Sequence, residues 1–88
     1  MNELESKLQA AAEAVTQLSE APDNQTKLKL YGLYKQATQG DVSGDKPGMF
    51  DFVGNAKYGA WEALQGTSRE QASQQYIALV AELQARLG

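Results

Sequence analysis

Three tyrosines and two lysines are the side chains of this sequence whose types and spacing can do chemistry. Tyr31, Tyr34 and Lys35 lie within one stretch, Leu28 to Thr38, while Lys57 and Tyr76 lie further along the chain. Read as a helix at about 100° per residue, that stretch places Leu30, Leu33 and Ala37 in one narrow apolar sector, with Tyr34 on its border. Tyr31, Lys27 and Lys35 fall in the sector beside it. Ammonium groups around a phenol, next to a buried face, suit a ligand that is anionic at one end and planar or apolar elsewhere. Phenol rings offer a stacking face for a purine and hydroxyls for phosphate oxygens, and the ammonium groups supply charge. The same side chains also fit the wet edge of an ordinary core. The elements that carry them decide whether they meet.

Those elements read as helices. Leu4, Leu8, Ala11, Val15 and Leu18 recur at spacings of four and three, with Ala12 alongside, and predict a helix from about residue 4 to 19. Pro22 breaks it, and Asp23 or Asn24 caps a second helix over about 24–39, which Gly40 terminates. Residues 40–53 show no sustained period. A loop of that length is uncommon without a function or packing of its own, and Met49, Phe50 and Phe52 are the expected apolar anchors to the body. A short third helix is expected over 54–64, with Ala56, Ala60 and Leu64 on one face and Lys57 and Trp61 together on its flank. Thr67 with Glu70, or Ser68 with Gln71, makes a capping box. From there Ala72, Tyr76, Val80, Leu83 and Leu87 mark a last helix over about 68–87. Four helices with short turns and one long loop between the second and third predict a single all-α domain, 1–88, built as a four-helix bundle.

Composition narrows the chemistry. At 88 residues the chain carries one small core. It has no cysteine and no histidine, which excludes disulfides, thiolate metal sites, Ser-His and Cys-His nucleophile systems and a conventional zinc site. A net charge of −3 and a pI near 4.8, with dispersed basic residues, argue against nucleic-acid binding through phosphates. They leave room for a local positive patch matched to one small anion. No apolar run approaches the ~20 residues of a membrane span, and the acidic start Asn2-Glu3-Leu4-Glu5 lacks the features of a secretory signal. A soluble intracellular protein is the simplest reading.

The remaining candidates fit structural duties. Asp41, Asp45 and Asp51 lack the alternating oxygen ligands and closing glutamate of a calcium loop, and cap or turn roles account for them. Gly40, Gly44, Gly48 and Gly54 follow no strand and match no phosphate-binding fingerprint. No metal or cofactor is expected.

In order along the chain, Leu30-Tyr31-Gly32-Leu33-Tyr34-Lys35-Gln36-Ala37-Thr38-Gln39-Gly40-Asp41, Pro47-Gly48-Met49-Phe50-Asp51, Ala56-Lys57-Tyr58-Gly59-Ala60-Trp61, and Tyr76-Ile77 with Val80 resemble the acyl-CoA-binding protein family. The resemblance spans about residues 6–87. It implies an up-down-down-up four-helix bundle that binds long-chain fatty acyl-CoA without catalysis, as a monomeric cytoplasmic carrier and pool former. Acyl-CoA-using enzymes and transient membrane contact are the implied partners. On this resemblance Tyr31, Tyr34, Lys35, Lys57 and Tyr76 surround the CoA head. Lys35, Lys57 and Tyr31 meet the ribose 3′-phosphate, and the aromatic rings hold the adenine. Ala12, Leu28 and Ala56 lie near the ligand, whose acyl chain runs in a groove at the first to third helices.

The sequence departs from the family pattern at Thr16, Ala21, Val53 and Asn55, where lysines are common, at Tyr58, where a tryptophan is common, and at Lys27, usually apolar. A weakened positive field around an intact centre implies lower affinity or an altered chain-length preference. The alternative is a helical protein-interaction module that kept the fold without the ligand.

Overall fold

Each helix begins where a short polar side chain can accept hydrogen bonds from the free amides of the first turn. In the computed structural model, which describes residues 2–88, the helices are α1 (Glu3–Val15), α2 (Asn24–Gln39), α3 (Phe52–Glu62) and α4 (Arg69–Leu87). Asn2 caps α1 by accepting from the Glu5 amide at 2.8 Å, and Asp23 caps α2 through Thr26 at 2.7 Å. Asp51 caps α3 through Gly54 at 2.9 Å. At α4 the cap is the reciprocal box of Ser68 and Gln71, the second of the two pairs the sequence offers.

Two expected boundaries move. α1 stops at Val15 instead of running to residue 19: the Thr16 hydroxyl donates to Glu13 O at 2.7 Å, and the chain turns so that Glu20 N reaches Leu87 O at 3.2 Å. α3 starts at Phe52, two residues before the expected 54, because Asp51 is the cap. The Asn55 amide secures that start by donating to Gly48 O at 2.8 Å and Asp51 O at 2.9 Å.

The order of packing across the molecule is α1 on α4, α4 on α2, and α2 on α3; α1 and α3 do not pack on each other among the described residues. Leu4 and Leu8 share a hollow with Arg69 and Ser73, while Ser19 and Glu20 meet the end of α4, so α1 and α4 run parallel. Arg69, at the start of α4, donates to the carbonyls of Ala37 and Thr38 at the end of α2, so those two run antiparallel. Lys57 lies beside Tyr31 and Trp61 beside Lys35, which makes α2 and α3 parallel. The topology is up-down-down-up.

The core follows the expected stripes: Leu8 and Ala11 from α1, Leu30, Leu33 and Ala37 from α2, Ala72, Tyr76, Val80 and Leu83 from α4. Burying each large apolar side chain is worth about 1.5–3 kcal/mol. α3 departs from expectation. Ala60 and Leu64 are half-buried and Ala56 is exposed, and the residue α3 buries is Trp61. α3 approaches α2 closely because Gly32 has no side chain; a Cβ there would stand 2.6 Å from Ala60 O.

The expected apolar anchoring of the long loop is not what the structure shows. Met49, Phe50, Phe52 and Val53 are exposed, at 81%, 82%, 74% and 67%. Polar contacts hold the loop instead. Asp51 N donates to Gly48 O at 3.0 Å, the Tyr58 hydroxyl meets Gly44 O at 3.4 Å, and the Lys46 ammonium lies 6.0 Å from the Tyr58 ring.

Candidate ligand-binding site

Because Tyr31 and Lys35 are one turn apart on α2, and α3 runs parallel alongside, Lys57 is delivered to the same place. The Lys35 ammonium stands 5.9 Å and the Lys57 ammonium 5.4 Å from the centroid of the Tyr31 ring. Lys35 also stands 5.2 Å from the Trp61 ring. Trp61 therefore partners Lys35 across the helix pair, where the sequence pattern pairs it with Lys57. Neither lysine has a carboxylate within ion-pair distance: the salt bridges among the described residues are Lys7–Glu3 and Arg86–Glu82. Two ammonium groups converge on one phenol with no internal anion to satisfy them. Such a platform accepts phosphate oxygens through charge-assisted hydrogen bonds.

Tyr34 and Tyr76 form a second aromatic unit. Their rings are tilted by 60° with centroids 5.5 Å apart. Tyr76 is buried in the core and lies under Tyr34 rather than among the lysines. Burial, with Tyr34 beside it, pushes the Tyr76 phenol above its ordinary value, so it remains a neutral hydroxyl. The half-buried Tyr34 also borders a hollow of about 400 Å³ between the start of α1, the end of α2 and the start of α4. Leu8, Gln9 and Thr38 line that hollow too, and neither lysine reaches it.

The smaller predicted contacts sit apart. Ala12 packs on the core from α1, Leu28 is half-buried early in α2, and Ala56 is exposed on α3 one residue before Lys57. Of the positions lacking the usual lysines, Thr16 ends α1 and Asn55 braces the α3 start, so both carry structural work; Ala21 and Val53 are exposed. Among the described residues no three metal-ligating side chains gather, and Asp41 and Asp51 serve the backbone.

Sequence reasoning missed a polar knot where α2 ends. Gln36 is fully buried; its amide donates to Asp41 Oδ1 at 2.8 Å and Thr67 O at 2.7 Å, and its Oε1 has no partner. Asp41 also accepts from Gly66 N at 2.8 Å. The Gly66 bond first, then the Gln36 bond, hold the Asp41 carboxyl below its ordinary value. Trp61 donates its indole N–H to Gly40 O at 2.8 Å. One signal for Gln36 was available: three residues beyond Leu33, it borders the apolar sector of α2.

A helical bundle whose distinctive surface is a pair of unpaired ammonium groups on aromatic faces has the form of a small binding protein suited to anionic, phosphate-bearing ligands. The sequence pattern of the family described as acyl CoA binding protein matches residues 5–80, and the chain belongs to that family. It is 49% identical over 78 residues to acyl-CoA-binding protein homolog 1 of Caenorhabditis elegans, covering 89% of this chain and 91% of the relative. It is also 49% identical over 73 residues to enoyl-CoA delta isomerase 2 of Rattus norvegicus, but there the match takes in 83% of this chain and 19% of the relative. The crystal structure of Oryza sativa acyl-CoA-binding protein 2 superposes with a TM-score of 0.90 at 40% identity, covering 94% of this chain and 92% of that one.

Proposed function

We propose that the chain binds long-chain fatty acyl-CoA esters and acts as their carrier and pool former. The observation that carries this is the convergence of Lys35 and Lys57 on the Tyr31 ring with no carboxylate to neutralise them. In this reading the ribose 3′-phosphate meets Lys35, Lys57 and the Tyr31 hydroxyl. The adenine stacks on Tyr34, which Tyr76 supports from below. Ala12, Leu28 and Ala56 border the path of the acyl chain, each from a different helix.

Affinity and specificity have different sources. Taking a hydrocarbon tail out of water is worth about 0.8 kcal/mol per buried methylene, so the tail supplies most of the binding energy. The lysine pair discriminates, because a free fatty acid brings no phosphate to it. Such a carrier breaks no bond, and the sequence supplies no Ser-His or Cys-His system to break one. The isomerase relative does not change this, since its match is confined to a fifth of that protein. The match to acyl-CoA-binding relatives favours this reading over a module for protein contacts alone. The setting that fits is the cytoplasm, with the chain as a monomer delivering ester to acyl-CoA-using enzymes and touching membranes transiently.

Calorimetric titration with palmitoyl-CoA, free CoA and palmitate, side by side, tests the assignment. Tight binding of the first and much weaker binding of the other two is expected. Palmitate binding as tightly as palmitoyl-CoA would remove the phosphate platform from the account.

A further inference from the structure

Lys35 and Lys57 are held differently. The Lys57 ammonium rests near one ring, Tyr31, from an exposed position on α3. The Lys35 ammonium lies near two, Tyr31 and Trp61, and its side chain is half-buried. Trp61 is itself immobilised from two directions. Its indole N–H is tied to Gly40 O at 2.8 Å, and its backbone amide would stand 3.2 Å from any Cβ at Gly32, where the two helices close on each other. Only 6% of the residue is exposed, and it is the single tryptophan of the chain.

We infer that Trp61 is a positioning residue for Lys35: its fixed ring face attracts the ammonium and holds it where a phosphate can meet its remaining N–H groups. A lysine side chain has large rotamer entropy, and ordering it on a ligand costs part of the interaction. A ring that gathers the ammonium beforehand removes much of that cost. The ring and the phosphate engage the same ammonium from different sides, so the indole contact persists in the complex. Lys35, backed in this way, discriminates for the phosphorylated head more strongly than Lys57 does. This inference rests on the acyl-CoA reading for the identity of the ligand.

The single tryptophan makes the test clean. Biosynthetic replacement by 5-fluoro-, 5,7-difluoro- and tetrafluorotryptophan alters residue 61 alone. Each fluorine drains electron density from the ring face while the N–H and the packing shape are retained. Palmitoyl-CoA affinity is expected to fall stepwise, by about two- to fivefold across the series. Affinity for palmitoyl-3′-dephospho-CoA and the thermal midpoint should stay constant, and Lys35→Ala should abolish the slope. Trp61→Phe, which keeps a weaker ring face, should fall within the series. A flat or tightening series, on a protein that prefers the phosphorylated ester, overturns the role of Trp61 and leaves the phosphate assignment standing. Equal binding of the two esters by the unlabelled protein overturns both.

Discussion

The end of α2 and the turn just before it use polar groups in opposite ways. At the end, the Gln36 amide N–H groups, the Asp41 carboxylate, the Trp61 indole, the Gly66 amide and the Arg69 guanidinium find partners inside the fold, and Gln36 Oε1 does not. One turn earlier, Lys35 and the neighbouring Lys57 find aromatic faces and no anion. The difference separates two uses of polarity. Burying a polar group without a partner costs about 1–3 kcal/mol, so nearly every group of this knot is satisfied internally. A surface cation left unpaired costs little until a ligand arrives, and so can be kept for one. Trp61 belongs to both regions, with its N–H in the first and its ring face in the second.

Four experiments bear on that contrast. The largest effect is expected from Lys35→Ala and Lys57→Ala, each lowering palmitoyl-CoA affinity by about ten- to hundredfold, the worth of a hydrogen bond to a charged group. The unfolding free energy should stay within about 0.5 kcal/mol of the parent for the exposed Lys57 and within about 1 kcal/mol for Lys35, which gives up two ring faces. Comparable losses in stability and in binding would erase the distinction between the regions. Gly32→Ala comes next. Its methyl meets Ala60 O, and the overpacking should cost about 1–3 kcal/mol in urea unfolding, with weaker ligand binding because α3 carries Lys57. Gln36→Leu should cost about 1 kcal/mol, because the Thr67 carbonyl loses its donor, with palmitoyl-CoA affinity unchanged.

The smallest effect is in acid. The Asp41 carboxyl titrates lower in the fold than in the unfolded chain. Its contribution is therefore present above the ordinary aspartate value of 3.8 and is lost as pH falls through the lower folded value. Asp41→Asn should flatten the acid limb of stability measured between about pH 5 and 2. A limb of unchanged slope would assign acid sensitivity to other carboxylates, with Asp23 the first to examine, since its cap bonds to Thr26 lower it too.

Helices announced themselves in this sequence wherever the apolar period was long and the start was capped. α2 and α4 stand within a residue of expectation, because Asp23, Gly40 and Ser68 are strong local signals. α3 was less legible. Its first turn carries Phe52 and Val53 outward, so its apolar residues mark no buried face, and Trp61 is its real anchor. The same ambiguity misdirected the reading of Met49 and Phe50: apolar residues in a loop suggest anchoring, yet glycine turns and the Asn55 clamp already hold this one. Of the platform, the neighbouring positions of Tyr31 and Lys35 follow from helical spacing alone. The approach of Lys57 depends on a parallel α3, and Trp61 under Lys35 depends on Gly32, and neither is a local property of the chain.

The parallel course of α2 and α3 sets a requirement on chain length. Antiparallel neighbours need a turn, whereas parallel ones need a return pass. The Trp61 backbone meets α2 at Gly32, eight residues before Gly40, and Phe52 precedes Trp61 by nine residues, so the connection must climb about 25 Å at helical rise. About eight extended residues, at about 3.3 Å each, suffice for that climb. The segment from Gly40 to Asp51 is only a few residues longer, and Met49 and Phe50 lie exposed within it. Removing one or two residues within 42–46 would tighten the strap and leave α3 upright. Cutting it to the length of a simple turn would leave too little chain to reach, and α3 would have to reverse, carrying Lys57 to the far end of α2.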